Sequence, residues 1–122
     1  MTVQSHRDLL VWQKAIDLVV ECYRLTKTFP SDERFGLTSQ LQRAAVSIAA
    51  NIAEGRGRGT TKAFLNYLWI ATGSLAELDT HLVIAERLQY LSKQEVIPVQ
   101  AKIEEVGRML VGLRRSLDSQ PN

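Results

Sequence analysis

Apolar residues recur along this chain at spacings of three and four, the period of an α-helix, in four blocks separated by short polar turns. The first block predicts a helix over about residues 8–28. Leu9, Trp12, Ile16, Val19 and Tyr23 form one stripe of it, and Val11, Ala15, Leu18, Cys22 and Leu25 form a second beside the first. Together they cover roughly 220° of the circumference, about twice the arc a surface helix needs. This helix must bury two sides, one against its own chain and one against something else. Phe29-Pro30 ends it, because proline disfavours α geometry in the residue before it.

A second helix is expected over about residues 37–54. Its core stripe is Leu37, Leu41, Ala44, Ile48 and Ile52, with Ala45, Val46, Ala49, Ala50 and Ala53 around most of the remainder. Gln40, Arg43, Ser47, Asn51 and Glu54 collect on one side. Gly55 fits the left-handed residue that closes a helix, since glycine enters that region without a Cβ penalty. The loop Gly55-Arg56-Gly57-Arg58-Gly59-Thr60 then opens a third helix over about residues 61–90. Phe64, Leu68, Ala71, Leu75, Leu78, Leu82 and Ala85 point inward; Leu65, Trp69 and Val83 make a smaller apolar patch on the outside.

Ser92 and Glu95 form a capping box for a fourth helix over about residues 93–117, with Leu91 and Val96 as its hydrophobic staple. Val96, Val99, Ile103, Val106, Leu110, Leu113 and Leu117 line an arc of about 100°, so this helix buries one side only. Pro98 predicts either a kink or a start nearer Ile97. Ser119 to Asn122 reads as a frayed tail. Four helices with short connections make an all-α, up-down-up-down four-helix bundle, a single domain over residues 1–122.

Composition adds limits. Apolar content of 45% and charged content of 23% are ordinary for a globular domain. No apolar run approaches the roughly 20 residues needed to span a bilayer, and the first residues lack a secretory signal, so no membrane role is expected. The lone Cys22 forbids an internal disulfide, which fits the cytoplasm. Net charge is only +2, but five basic residues against one acid give residues 34–62 a net +4.

That basic stretch carries the first candidate site. Arg56, Arg58 and Lys62 crowd the start of the third helix, where the macrodipole is already positive, and Arg43 lies one helix back. Free amides of a glycine turn beside a helix N-terminus suit phosphate. The spacing is not a Walker A motif, and a solvated turn with no specific role is the competing reading. A second constellation is a polar seam of Arg43, Ser47, Asn51, Ser74, Glu77 and His81, alongside Ile70, Ile84 and Leu88. Antiparallel pairing of the second and third helices sets Arg43 near the level of Thr72, within reach of Glu77. A buried network fixing helix register outweighs an acid–base pair of Glu77 and His81, since no nucleophile accompanies them.

No catalytic residue, metal set or cofactor emerges. A di-iron bundle needs Glu-x-x-His pairs, whereas Glu77 and His81 stand four apart and occur once. His6 and Cys22 cannot complete a zinc set. The surplus apolar surface points to association, with Val11, Leu18, Leu25, Leu65, Trp69 and Val83 as interface candidates. Base-stacking on Trp69 ranks below subunit packing, because no basic run interleaves with it.

Several runs also carry a family resemblance. In order they are Trp12-Gln13-Lys14-Ala15, Phe29-Pro30 with Glu33, Gly36-Leu37 with Gln40, Arg43-Ala44-Ala45, Ser47-Ile48, Asn51-Ile52-Ala53-Glu54-Gly55 with Arg58, and Ala71, Gly73-Ser74 and Glu77. The chain over about residues 8–91 resembles the four-helix-bundle proteins encoded within intervening sequences of bacterial 23S ribosomal RNA genes, the S23 family. Accessory variability proteins of diversity-generating retroelements are distant relatives. The resemblance implies a closed homo-oligomeric ring, typically of five subunits, with no catalysis and a link to RNA or DNA. Arg56 departs from the family's more usual apolar or aromatic residue, and Ala63 from an acid, so the loop here is more basic. The expected protein is thus a non-enzymatic, cytoplasmic homo-pentamer that touches RNA or DNA, with no small-molecule substrate. The alternative is a protein-interaction scaffold that docks a partner through the Trp69 patch.

Overall fold

The computed structural model describes residues 5–119. Four α-helices follow one another: α1 Leu10–Thr26, α2 Leu37–Gly57, α3 Thr61–Arg87 and α4 Lys93–Asp118. Short 3-10 turns at His6–Asp8 and Ser31–Glu33 precede α1 and α2. α1 packs on α2 and α4, and α3 packs on the same two, while the diagonal pairs do not approach each other. This is the four-helix bundle expected from the periodicity, with the α2–α3 pairing the most extensive.

Three of the four helix starts are capped by a side chain. The Thr60 hydroxyl accepts from the Ala63 amide at 3.2 Å. Ser92 and Glu95 close the expected capping box at 3.1 and 2.9 Å, so α4 begins at Lys93 and carries Pro98 inside it instead of starting near Ile97. α2 is capped from outside: the Glu33 carboxylate accepts from the Leu37 amide at 3.1 Å and from the Tyr90 hydroxyl at 2.8 Å. Those two bonds hold the Glu33 carboxyl below its ordinary range, the backbone bond most. They also tie the α1–α2 connection to the α3–α4 connection. α3 ends three residues short of expectation, in a Schellman turn with Gln89 at φ +65° and the Tyr90 amide bonded to the Ala85 carbonyl at 2.9 Å.

The core contains every apolar residue expected to point inward from α3 and the first five from α4, with Leu113 and Leu117 half-buried against it. Burial also pushes the Cys22 thiol up to about 12, leaving it unreactive at neutral pH.

α1 reverses part of the expectation. Val11, Leu18 and Leu25, read as an intersubunit stripe, are buried within the chain's own core. The free stripe is instead Ile16, Val20 and Tyr23. The reason is size: Ala15 and Cys22 in the buried stripe let α2 and α4 come close, whereas Tyr23 and Ile16 would hold them off. α1 is also shorter than expected and ends at Thr26, before Phe29-Pro30. Of the expected frayed tail, Ser119 closes α4 and the rest lies outside the described residues.

Candidate functional site

Gly55 does not end α2. The helix runs on to Gly57, and Gly59, at φ +84°, makes the turn. Gly55 is buried where a Cβ would come 2.6 Å from the Tyr67 Cβ, so its lack of a side chain serves the close approach of α2 to α3. The expected six-residue glycine loop thereby shrinks to Arg58-Gly59-Thr60, with one of the α3 amides already taken by Thr60.

The arginines at this turn are largely engaged. Arg58 donates to Glu54 at 2.7 Å, its guanidinium lies 5.3 Å from the Tyr67 ring centre, and the Tyr67 hydroxyl donates to the same carboxylate at 3.2 Å. The Arg58 and Tyr67 bonds hold the Glu54 carboxyl below its ordinary range. Arg56, half-buried, lines a small pocket with Leu9, Phe64 and Leu117. Lys62 is exposed and makes no ion pair among the described residues. Arg43 stands roughly 20 Å away along α2, so the four cations do not form one site.

Arg43 belongs to the polar seam, which the structure opens into a groove of about 900 Å³ between α2 and α3. Its fixed point is a hydroxyl pair: Ser47 and Ser74 lie 2.8 Å apart, and Asn51 donates to the Ser47 hydroxyl at 2.9 Å and to its carbonyl at 2.8 Å. With Ser47 facing Ser74, the antiparallel register brings Arg43 to the level of Glu77, a turn beyond the expected Thr72. Even so, Arg43 and Glu77 form no ion pair, and both are exposed. The seam is therefore a buried network only at Ser74 and half-buried at Ser47, Asn51 and His81. The His81 Nδ1 atom is buried without a hydrogen-bond partner. Phe35, 86% exposed, and Tyr23 line the end of the groove nearest the α1–α2 connection. Phe35 escaped sequence reasoning because it sits in a turn, where no periodicity marks it.

Trp69 is 59% exposed, as expected, but an arginine does reach it. The Arg114 guanidinium stacks 3.8 Å from the ring centre and donates to the Thr72 hydroxyl at 2.7 Å, clamping α4 to α3. Arg114 falls four residues after the core residue Leu110, and that i+4 position was the signal that it faces inward. On the same helix, Leu65 is half-buried and Val83, about four turns beyond Trp69, is marginally exposed. No three His, Cys, Asp or Glu side chains among the described residues come together in a way that could hold a metal. No helix among them is long and apolar enough to cross a membrane.

The sequence matches the family described as 23S rRNA-intervening sequence protein over residues 7–112, most of the chain. The chain belongs to that family. The fold agrees with a crystal structure of a protein of unknown function from the S23 ribosomal protein family of Bacteroides thetaiotaomicron. It superposes with a TM-score of 0.80 at 23% identity, over 87% of this chain and 96% of that one. No curated protein matches the sequence. Neither the family's description nor that of the Bacteroides protein names a catalytic activity.

Proposed function

We propose that this intervening-sequence protein is a non-enzymatic homo-oligomer, a closed ring of five subunits, that presents basic surface to RNA or DNA. The observation that carries the assembly is the apolar surface left exposed on two parts of the bundle. One holds Ile16, Val20, Tyr23 and Val46 on α1 and α2; the other holds Trp69, Ile70, Val83 and Ile84 on α3. Two dissimilar faces suit a heterologous contact, which closes into a ring when the rotation per subunit allows. Of the interface candidates, Leu65, Trp69 and Val83 keep their place in this reading, and Ile16, Val20 and Tyr23 replace Val11, Leu18 and Leu25.

Repetition around a ring multiplies a weak basic surface. Arg43 and Lys62, with a smaller share from the turn arginines, gain avidity when copied per subunit with no new contact. Such binding weakens with salt. Sedimentation at micromolar concentration should find a species five times the 13.7 kDa chain mass, and Val20→Asp should reduce it. A single subunit at that concentration removes the proposal.

The exposed Trp69 supports a second reading, a scaffold that docks a partner protein. Under it, capture of the partner resists nuclease and high salt and disappears in Trp69→Asp. The Arg114 clamp makes a thermal melt of that variant a necessary companion measurement.

A further inference from the structure

Building on the nucleic-acid reading above, we propose that the groove between α2 and α3 binds a short run of unpaired nucleotides, contacting bases as well as phosphates. The first support is its pair of unmatched charges. Arg43 and Glu77 stand at one level on opposite banks and leave each other unpaired. A free guanidinium suits a phosphate. A free carboxylate accepts from the N1–H and N2–H donors of guanine, a pair that only an unpaired guanine exposes together.

The second support is the polar floor. Asn51 fixes Ser47 and Ser47 fixes Ser74, so the floor is polar and already ordered. An apolar helix laid here would strand Arg43 and Glu77 without hydrogen bonds. A polar base edge offers them partners.

The third support is the ring at the mouth. Phe35 is almost wholly exposed, with the Arg34 guanidinium 5.0 Å from its ring centre. Flat rings beside cations are the surfaces on which unpaired bases stack. From Leu37 to Ser47, α2 advances roughly 15 Å, room for a few unstacked nucleotides in sequence. The 900 Å³ groove is large enough to take a whole base and sugar.

The test is a low-salt polarisation titration of the full chain with labelled short strands: uracil-only RNA, mixed guanine–uracil RNA, the matching DNA, and a hairpin duplex. The proposal expects single strands to bind above the duplex. Phe35→Ala should weaken them about 5- to 100-fold. Glu77→Gln should erase the preference for the guanine-containing strand, and the RNA and DNA arms report which source of unpaired nucleotides the groove takes. If the parent chain binds no strand at all, the nucleic-acid reading itself fails. If it binds strands and duplex alike, or both variants bind as the parent does, the groove proposal is overturned while that reading survives. A fall in sedimenting mass of Phe35→Ala would also overturn it, because the ring would then be a subunit contact.

Discussion

The two ends of the α2–α3 pair carry similar residue types and use them in opposite ways. At the turn end, Gly55 lets the helix backbones meet, and Arg58, Glu54 and Tyr67 satisfy one another. At the other end the helices leave a groove, and Arg43 and Glu77 stay apart in solvent. A glycine-rich basic turn looks like the obvious anion site, yet much of its charge is already matched internally. The free charge is a helix-length away.

The comparison breaks most readily at Gly55. Gly55→Ala gains helix propensity but drives a Cβ into Tyr67, and the net loss should be about 1–3 kcal/mol by urea unfolding. An unchanged midpoint would mean that the close approach is unimportant. A smaller effect belongs to the groove floor. Ser74→Ala removes one partly buried hydrogen bond and should cost about 0.5–1.5 kcal/mol, since Ser47 keeps its bond to Asn51.

The smallest effect is the response to acid. Glu54 and Glu33 both have folded-state values lowered from 4.5, so each contributes stability that is present above that value. That contribution is lost as pH falls through the lowered folded-state values. Glu54→Gln should therefore flatten part of the acid limb of a stability–pH curve by lowering stability slightly at neutral pH, where the carboxylate's contribution is fully present, while leaving stability below the lowered value nearly unchanged. An acid limb unchanged in both Glu54→Gln and Glu33→Gln would show that neither carboxylate is engaged as described.

The helices and the inward faces of α2, α3 and α4 could be read from the sequence because each has one full row of apolar residues at three-and-four spacing, against alanines, polar groups or scattered apolar residues elsewhere. α1 could not be resolved in this way. Both of its stripes are apolar, and hydrophobicity alone does not say which goes inside; the small residues Ala15 and Cys22 in one of them decide it. Gly55 was misread because glycine serves equally at a helix end and at a helix crossing, and only the position of Tyr67 distinguishes the two. The seam residues were found, since Arg43, Ser47, Asn51, Ser74, Glu77 and His81 share helical faces. Their openness to solvent was not, because it depends on which other elements cover the seam in three dimensions. Arg114 and Phe35 complete the picture only in three dimensions.

The sharpest measurement sets one arginine from each end against the other. Arg43→Ala and Arg58→Ala remove the same charge from α2 and from the turn at its end, and both side chains are exposed. Titrated against the same labelled strand across a salt series, Arg43→Ala should lose more affinity and show the shallower salt slope, while Arg58→Ala stays near the parent. Equal losses, or a larger loss at Arg58, would contradict the claim that the groove end holds the available charge.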